Sequence, residues 1–145
     1  ADQLSKKWLM DYLLGGADAP RFVELTPFAN LVAVRNYGVS FGMFSTGETT
    51  GAWMFVAVAA AIVAVLLFWL LRTPRPCAAA ALGLVIGGAI GNVIDRLRDG
   101  SVFDFLDVHV MGWHWPAFNL ADSAISVGVA LLFLDTLLEG KRESK

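Results

Sequence analysis

The sequence predicts a mainly α-helical, multi-pass membrane protein with four transmembrane helices and a small extracytoplasmic β-sheet. Composition carries the first part of this prediction, because 57% of the 145 residues are hydrophobic and only 17% are charged. A helix needs roughly 20 apolar residues to cross a hydrocarbon core of about 30 Å. Three segments reach or nearly reach that length, namely residues 52–71, 77–94 and 117–134. We therefore expect these three segments to be spanning helices.

The N-terminal segment, residues 1–14, is expected to be the outer end of the first transmembrane helix, which is incomplete in this chain. Its pattern is helical, but it is too short to span alone and carries four charged side chains, those of Asp2, Lys6, Lys7 and Asp11. An interfacial helix is the alternative interpretation at this point.

The same composition excludes several classes of protein. The chain is too apolar to be intrinsically disordered, and its single cysteine cannot form an intrachain disulfide. A formal net charge of -2 argues against a basic nucleic-acid binder. Cys77 begins a helix beside a proline, so we interpret it as a small apolar residue rather than a reactive thiol.

The distribution of Lys and Arg predicts the orientation, since cytoplasmic loops are enriched in both. The turn at residues 72–76 has two arginines and no acid, and the C-terminal tail, residues 135–145, contains three basic residues, Lys141, Arg142 and Lys145. Both are expected in the cytoplasm, which leaves residues 15–51 and 95–116 outside. All 145 residues then form one membrane-embedded domain, with most of its polar groups in the outer segments.

The first outer segment is predicted to form a small sheet. Phe22–Thr26 and Asn30–Val34 have strand-like patterns and are separated by Pro27. Gly38 and Gly42 follow, and such glycines permit positive φ or the close approach of another backbone. For these two glycines alone, turn formation is favoured over a binding site.

The helix predicted at residues 77–94 ends in a run of glycines and polar residues. The glycines are expected to form one smooth face for close helix packing, and they are Gly83, Gly87 and Gly91. Asn92 and Arg96 are four apart and share a face, and Asp95 is three from Asn92 and lies close to it. Either Asp95 and Arg96 form a structural ion pair at the interface, or these side chains belong to a site.

The last predicted helix carries one polar stripe, formed by Asn119, Asp122 and Ser126 at spacings of three and four. Asp122 would lie about 8 Å along the axis from the predicted helix start at residue 117, where an ionised carboxylate is costly unless it is paired or hydrated. It is therefore a functional candidate. The alternative is a structural pair with Arg96.

Asp104 lies between two phenylalanines in an alternating, strand-like stretch of the second outer segment. A return of the chain could bring Asp104 against Asp122. Such a pair is what an aspartic protease uses, with one acid ionised to activate water and the other protonated to polarise the carbonyl.

Two other classes of function are less well supported by the sequence. Intramembrane Asp and Arg also mark ion paths, but a transporter or channel is disfavoured because residues 52–71 have no polar face. A metal site could use Asp107, His109 and His114, yet the neighbouring Trp113 and Trp115 favour an interfacial aromatic belt.

Five motifs occur in a fixed order, and they are Asp2–Lys6, Asn36–Gly42, Gly87–Arg96, Val102–Phe105 and Pro116–Ser123. Together they resemble the lipoprotein signal peptidases, also called signal peptidase II. The ordered set covers nearly the whole chain and is far more specific than any single motif. One departure is conservative, because Ser40 stands where the family often has Ala.

The resemblance implies an aspartic endopeptidase of the bacterial cytoplasmic (inner) membrane, with its active site near the outer face. It would remove the signal peptide from diacylglyceryl-modified prolipoproteins just before the lipid-modified cysteine. Asp104 and Asp122 would form the catalytic dyad. Substrate binding or support of the dyad is implied for Asn36, Asn92, Asp95, Arg96 and Asn119, and a supporting role for Asp2, Lys6, Gly38 and Gly42.

The resemblance also implies the partners. They would be prolipoprotein substrates and membrane lipids, with no nucleic acid, no cofactor and no metal. The protein would act as a monomer.

Overall fold

The computed structural model of the chain describes residues 1–38 and 48–143. Within them the helices and strands follow in the order α1 (Asp2–Leu14), β1 (Phe22–Thr26), β2 (Ala29–Asn36), α2 (Glu48–Arg72), α3 (Pro76–Asp99), β3 (Val102–Val110), β4 (Trp113–His114) and α4 (Leu120–Glu143). Gly42, with most of its motif, lies outside the described residues, as does Lys145.

Three helices in the described part are long and apolar enough to cross a membrane, and their candidate spans are Ala52–Arg72, Pro76–Asp99 and Leu120–Glu139. The three predicted segments fall on these helices, but the helix boundaries differ from the predicted ones. Residues 95–99 continue α3 rather than beginning a loop, and α4 starts at Leu120 rather than at residue 117. Residues 135–143 continue α4 instead of forming a tail.

The end of α3 has a local cause in the sequence. Gly100 has a φ of 70°, and its N–H donates to the carbonyl oxygen of Arg96 at 3.1 Å. Glycine adopts this left-handed conformation without the Cβ penalty, which makes it the favoured residue just after a helix. Arg96 and Arg98 in the last turn also suit the negative end of the helix dipole.

The strands form one antiparallel sheet in the order β1-β2-β3-β4. The prediction of a first strand at Phe22–Thr26 is confirmed, and the second predicted strand lies within the longer β2, after the turn that contains Pro27. In the β2–β3 pairing, Val34 lies opposite Asp104 and Asn36 opposite Val102. This register brings the Asn36 side chain next to Asp104.

One buried apolar cluster lies between α1 and the sheet. Leu9 and Leu13 of α1 are buried against Phe103 and Phe105 of β3. Successive side chains of a strand point to opposite faces, so the two phenylalanines face α1 while Asp104 between them faces away from it. Asp104 is nevertheless buried, because the beginning of α4 covers that other face.

Of the three glycines that were predicted to pack against another helix, Gly91 does so, whereas within the described part of the chain Gly83 and Gly87 do not. Gly88, which was not predicted, also packs closely. A Cβ at Gly88 would collide with the carbonyl oxygen of Ala121, and one at Gly91 would lie 2.7 Å from a carboxylate oxygen of Asp2. Among the described residues, and apart from the local backbone of α3 itself, no atom would lie within 4 Å of a Cβ at Gly83 or Gly87. The predicted packing face is therefore wrong for those two positions, which border an open groove instead.

Candidate active site

Asp104 and Asp122 come together because the segment before α4 pairs with β3. The N–H of Phe118 donates to the carbonyl oxygen of Leu106 at 2.9 Å, and the N–H of Leu106 donates back at 2.9 Å. This bridge places the next residue, Asn119, beside Asp104. The predicted proximity of the two acids is thus produced by a short antiparallel contact just before the helix begins.

Asn119 and Asp122 cap the N-terminus of α4 reciprocally. The N–H of Asp122 donates to Asn119 Oδ1 at 3.0 Å, and the N–H of Asn119 donates to Asp122 Oδ2 at 3.2 Å. This is a capping box, which satisfies two of the otherwise unpaired amide groups of a helix start. Asp122 therefore lies in the first turn rather than about 8 Å inside the helix, and the helix dipole favours its negative charge there.

Asp104 is held by two amide side chains. Its relative exposure is 1%, and its two oxygens accept from Asn36 Nδ2 at 3.0 Å and from Asn119 Nδ2 at 2.7 Å. Burial raises the pKa of Asp104 above its usual range, and the charge of Asp122 raises it further, although the two amide donors oppose the shift. Asp104 therefore holds a proton to higher pH than an exposed aspartate.

Gly38 fixes the orientation of Asn36. Its N–H donates to Asn36 Oδ1 at 2.9 Å, which leaves the amide group of Asn36 free to donate to Asp104. Gly38 has a φ of 106° and packs so closely on Phe55 of α2 that a Cβ would collide with the ring. Both facts require glycine at this position.

Lys6 is the centre of a buried charged cluster next to the acids. Its relative exposure is 1%, and its Nζ lies 2.8 Å from Asp95 Oδ2 and 3.0 Å from Asp2 Oδ2. The partner of Asp95 is thus Lys6, and the alternative of an ion pair with Arg96 is wrong. Gln3 was not predicted for the site, yet its Nε2 donates to Asp95 Oδ1 at 2.7 Å.

Asn92 joins this cluster to both acids. Its Oδ1 accepts from Lys6 Nζ at 3.1 Å and from Asn119 Nδ2 at 3.2 Å, and its Nδ2 donates to Asp122 Oδ1 at 2.7 Å. Because an ammonium group can only donate, Lys6 determines which end of the Asn92 amide faces Asp122.

Arg96 forms no ion pair with Asp95 or Asp122 among the described residues. Its Nη1 donates to the carbonyl oxygen of Asn92 at 3.3 Å, and its guanidinium carbon lies 5.3 Å from the centre of the Phe55 ring. In the same part of the chain its Nε is buried without a hydrogen-bond partner. The predicted alternative of a structural ion pair is therefore not what the described geometry shows.

One residue of the predicted polar stripe lies outside the site, and two residues that were not predicted contact it. Ser126, the last member of the predicted polar stripe, is exposed and lies outside this network. Phe55 was missed, since α2 looks uniformly apolar and nothing in its pattern marks one ring as a neighbour of Arg96. Gln3 could have been noticed, because it lies inside the first of the five motifs.

The histidine cluster lies elsewhere, at the far end of the sheet. The His109 and His114 rings stack with centroids 4.7 Å apart, and His114 Nδ1 lies 2.9 Å from the Asp107 carboxylate. Burial raises the pKa of Asp107, but the hydrogen bonds from Asn30 and His114 outweigh it and leave a lowered pKa. Within the described residues, no group of three or more His, Cys, Asp or Glu could hold a metal ion.

Comparison with known proteins points to one family. A family model described as signal peptidase (SPase) II matches residues 1–138. The chain is 40% identical to a lipoprotein signal peptidase of Alteromonas mediterranea, covering 99% of this chain and 78% of the relative. It is 44% identical to one of Shewanella halifaxensis, covering 100% and 84%, and 45% identical to one of Methylorubrum extorquens, covering 97% and 81%.

The fold of the chain is also similar to that of solved bacterial membrane enzymes. A bacterial membrane enzyme determined by the in meso method at 2.3 Å resolution superposes with a TM-score of 0.78 at 30% identity, covering 99% of this chain and 84% of that one. Another, at 1.9 Å resolution, gives a TM-score of 0.77 at 31% identity, covering 94% and 84%. The helices and the sheet are thus arranged as in a known kind of membrane enzyme.

Proposed function

Because the chain belongs to the signal peptidase II family, we propose that it cleaves the signal peptide from lipoprotein precursors as an aspartic endopeptidase. The observation that carries the catalytic type is the pair of acids, Asp104 and Asp122, connected through Asn119. The site of cleavage would be just before the diacylglyceryl-modified cysteine. The comparisons favour no transporter or channel, so that alternative is abandoned.

The two acids have different surroundings, which assigns them different roles. Asp122 accepts hydrogen bonds at the positive end of a helix dipole, so it would be the ionised base that takes a proton from water. Asp104, whose pKa is raised by burial, would be the protonated acid that polarises the scissile carbonyl.

Hydrolysis then proceeds without a covalent intermediate. The water oxygen attacks the carbonyl carbon as its proton passes to Asp122, and the carbonyl oxygen receives a proton from Asp104. The tetrahedral intermediate collapses when the carbon–nitrogen bond breaks and the leaving nitrogen takes a proton from Asp122. Asp104 regains its proton from the collapsing hydroxyl group, so that both acids return to their starting states.

The surrounding amide and charged side chains would support this chemistry. Asn36, Asn92 and Asn119 orient the two acids through the hydrogen bonds described above. Arg96 has N–H groups that the described residues leave free, so we assign it to the substrate backbone. A signal peptide must be unwound to be cut, and its freed carbonyl groups need such donors.

A second set of residues would act by positioning. Asp2, Lys6 and Asp95 form the ion cluster that orients Asn92, and Gly38 orients Asn36. The supporting role of Gly42 stays a prediction.

The cellular setting is also part of the proposal. The apolar helices and the solved membrane enzymes show a multi-pass membrane protein. We place it as a monomer among the lipids of the bacterial cytoplasmic membrane, with the sheet and the two acids at the outer face. The fourth spanning helix, with α1 as its outer end, stays a prediction.

The experiment that tests this function compares two substrates. The purified protein is incubated with a diacylglyceryl-modified prolipoprotein and with its unmodified form, and cleavage before the cysteine is expected only for the modified one. Asp104→Asn and Asp122→Asn should each abolish cleavage, and the double variant should be hardly worse, because the two groups act as a unit. Asp99→Asn, at the exposed end of α3, is the matched control.

Two results would contradict the proposal. Substantial cleavage by a folded single variant would exclude the acid pair as the catalytic centre. Loss of activity with a chelator, followed by recovery with zinc, would indicate a metallopeptidase instead.

A further inference from the structure

The end of the sheet farthest from α3 is exposed and apolar. The β3–β4 hairpin turns at Met111 and Gly112, and Met111 is fully exposed, with a relative accessibility of 103%. The side chains around it are also exposed, and they are Phe28, Val110, Trp113 and Trp115. Phe28 belongs to this patch because its carbonyl oxygen accepts the N–H of His109 at 2.9 Å. Both hairpin turns of the sheet thus meet at one apolar end.

Met111 occupies a position that its side chain does not favour. Its φ is 52° and that of Gly112 is 82°, so both central residues of the turn are left-handed. Turns of this kind prefer Asn, Asp or Gly at the first central position, and a longer L side chain is strained there. A strained, apolar and fully exposed residue is unfavourable in water, and it is explained if the side chain enters an apolar phase.

The rest of the segment has the composition of a membrane interface. From Val108 to Ala121 the sequence contains no Asp, Glu, Lys or Arg, and it contains two tryptophans. Tryptophan is enriched where the hydrocarbon core of a bilayer meets the headgroups. The segment is also continuous with the lipid-facing surface, since only four residues separate Trp115 from Leu120, the first residue of the spanning helix α4.

We propose that the tip of the β3–β4 hairpin inserts into the interfacial region of the leaflet that α4 enters, with Met111, Trp113 and Trp115 as its membrane anchors. The sheet then lies along the bilayer surface. If the sheet stood upright instead, Met111, which is seven positions after Asp104, would lie about 23 Å away from the acids and in water. A second copy of the chain is a poor occupant, because a few side chains give much less than the roughly 800 Å² per partner of a stable interface.

The test is a depth measurement on the full chain. An environment-sensitive NBD label is attached to Met111→Cys in a Cys77→Ser background, and the protein is placed in phosphatidylcholine nanodiscs. Asp18→Cys, at an exposed position of the loop between α1 and β1, is the control. We expect blue-shifted emission at position 111, and quenching by lipids that carry a nitroxide near the carbonyl group. At position 18 we expect neither effect.

A second labelling site protects the test against a folding defect. If Met111→Cys fails to fold, Val110→Cys is labelled instead and should give the same result. Equal emission at the hairpin and at position 18, without quenching, would overturn the proposal. So would a blue shift that appears only at high protein-to-lipid ratio, which would indicate a second copy, or only after addition of a prolipoprotein, which would indicate substrate docking.

Discussion

Asn36 couples the protonation of Asp104 to the pH at which the proposed reaction runs. Protonated Asp104 is required as the acid, so activity should fall as the pH rises through its pKa. The amide of Asn36 stabilises the ionised carboxylate through a 3.0 Å hydrogen bond, and it therefore lowers that pKa. Removing the amide should raise the pKa still further above its usual range.

The corresponding prediction concerns Asn36→Ala. For this variant, the alkaline limb of log kcat/KM against pH should move to higher pH by about one unit, because one hydrogen bond to an ionised carboxylate is worth roughly 1.5 kcal/mol. The plateau should also be lower, since Asp104 is less well held. Asn30→Ala is the matched control, because Asn30 donates to Asp107 of the same sheet at 2.8 Å and should leave the limb in place. A shift to lower pH would contradict the assignment of Asp104 as the acid.

At the scale of elements, α1 is attached to α3 by buried charge. Lys6 lies between Asp2 and Asp95, and Gln3 donates to Asp95 and to the carbonyl oxygen of Gly91 at 3.2 Å. Gly91 allows this approach, since any side chain there would meet Asp2. The polar residues at the start of α1 thus determine its place in the bundle, while the apolar pair Leu9 and Leu13 holds its other end against the sheet.

We predict that Lys6→Met lowers the free energy of unfolding by about 3–5 kcal/mol, because it leaves buried carboxylates without their cation. Adding Asp95→Leu should recover a large part of that loss, since the unpaired charge is removed. Lys7→Met, on the exposed side of the same helix, should change the value by less than about 0.5 kcal/mol. Thermal and denaturant melts in detergent measure all three. Equal effects of Lys6→Met and Lys7→Met would disprove the buried pair.

The pattern of apolar and polar residues along the sequence predicted the helices and strands that depend on neighbouring residues alone. The three apolar helices and the strand at Phe22–Thr26 follow from length and alternation, and an acid in an apolar helix identified Asp122. The start of α4 was misplaced because Ala117 and Phe118 are as apolar as the helix that follows. Their backbone instead pairs with β3, and only the capping box at Asn119 begins the helix.

Contacts between distant segments could not be predicted from spacing. Asp95 has an arginine as its neighbour in sequence, so an ion pair with Arg96 was one of the two interpretations that the sequence left open. The structure pairs Asp95 with Lys6, 89 residues away, because α1 packs across α3 at its glycines. Lys6 and Gly38 were included among the site residues only because of the motif resemblance. The structure supplies a physical reason, because Lys6 donates to Asn92 and the N–H of Gly38 donates to Asn36.

For the whole molecule, the polar site and the basic turn lie at opposite ends of the bundle. Cys77 and Arg96 are 19 residues apart on α3, which is about 29 Å along the helix axis and close to the thickness of a hydrocarbon core. At the Cys77 end, Arg75 Nη1 lies 2.9 Å from Asp135 Oδ2 of α4. This ion pair holds the basic turn and the last helix together on one side of the membrane.

The last prediction tests which side that is. The positive turn at residues 72–76 should face the cytoplasm, and the exposed Cys77 lies next to it at the start of α3. Cys77 should therefore react with a membrane-impermeant maleimide only after the cells are permeabilised. Asp18→Cys in a Cys77→Ser background should react in intact spheroplasts, because the loop between α1 and β1 lies on the side of the sheet and the two acids. The Cys77→Ser variant alone controls for background labelling. Reaction of native Cys77 in intact cells would reverse the orientation and place Asp104 and Asp122 on the cytoplasmic side, where the proposed precursors would not present their cleavage site.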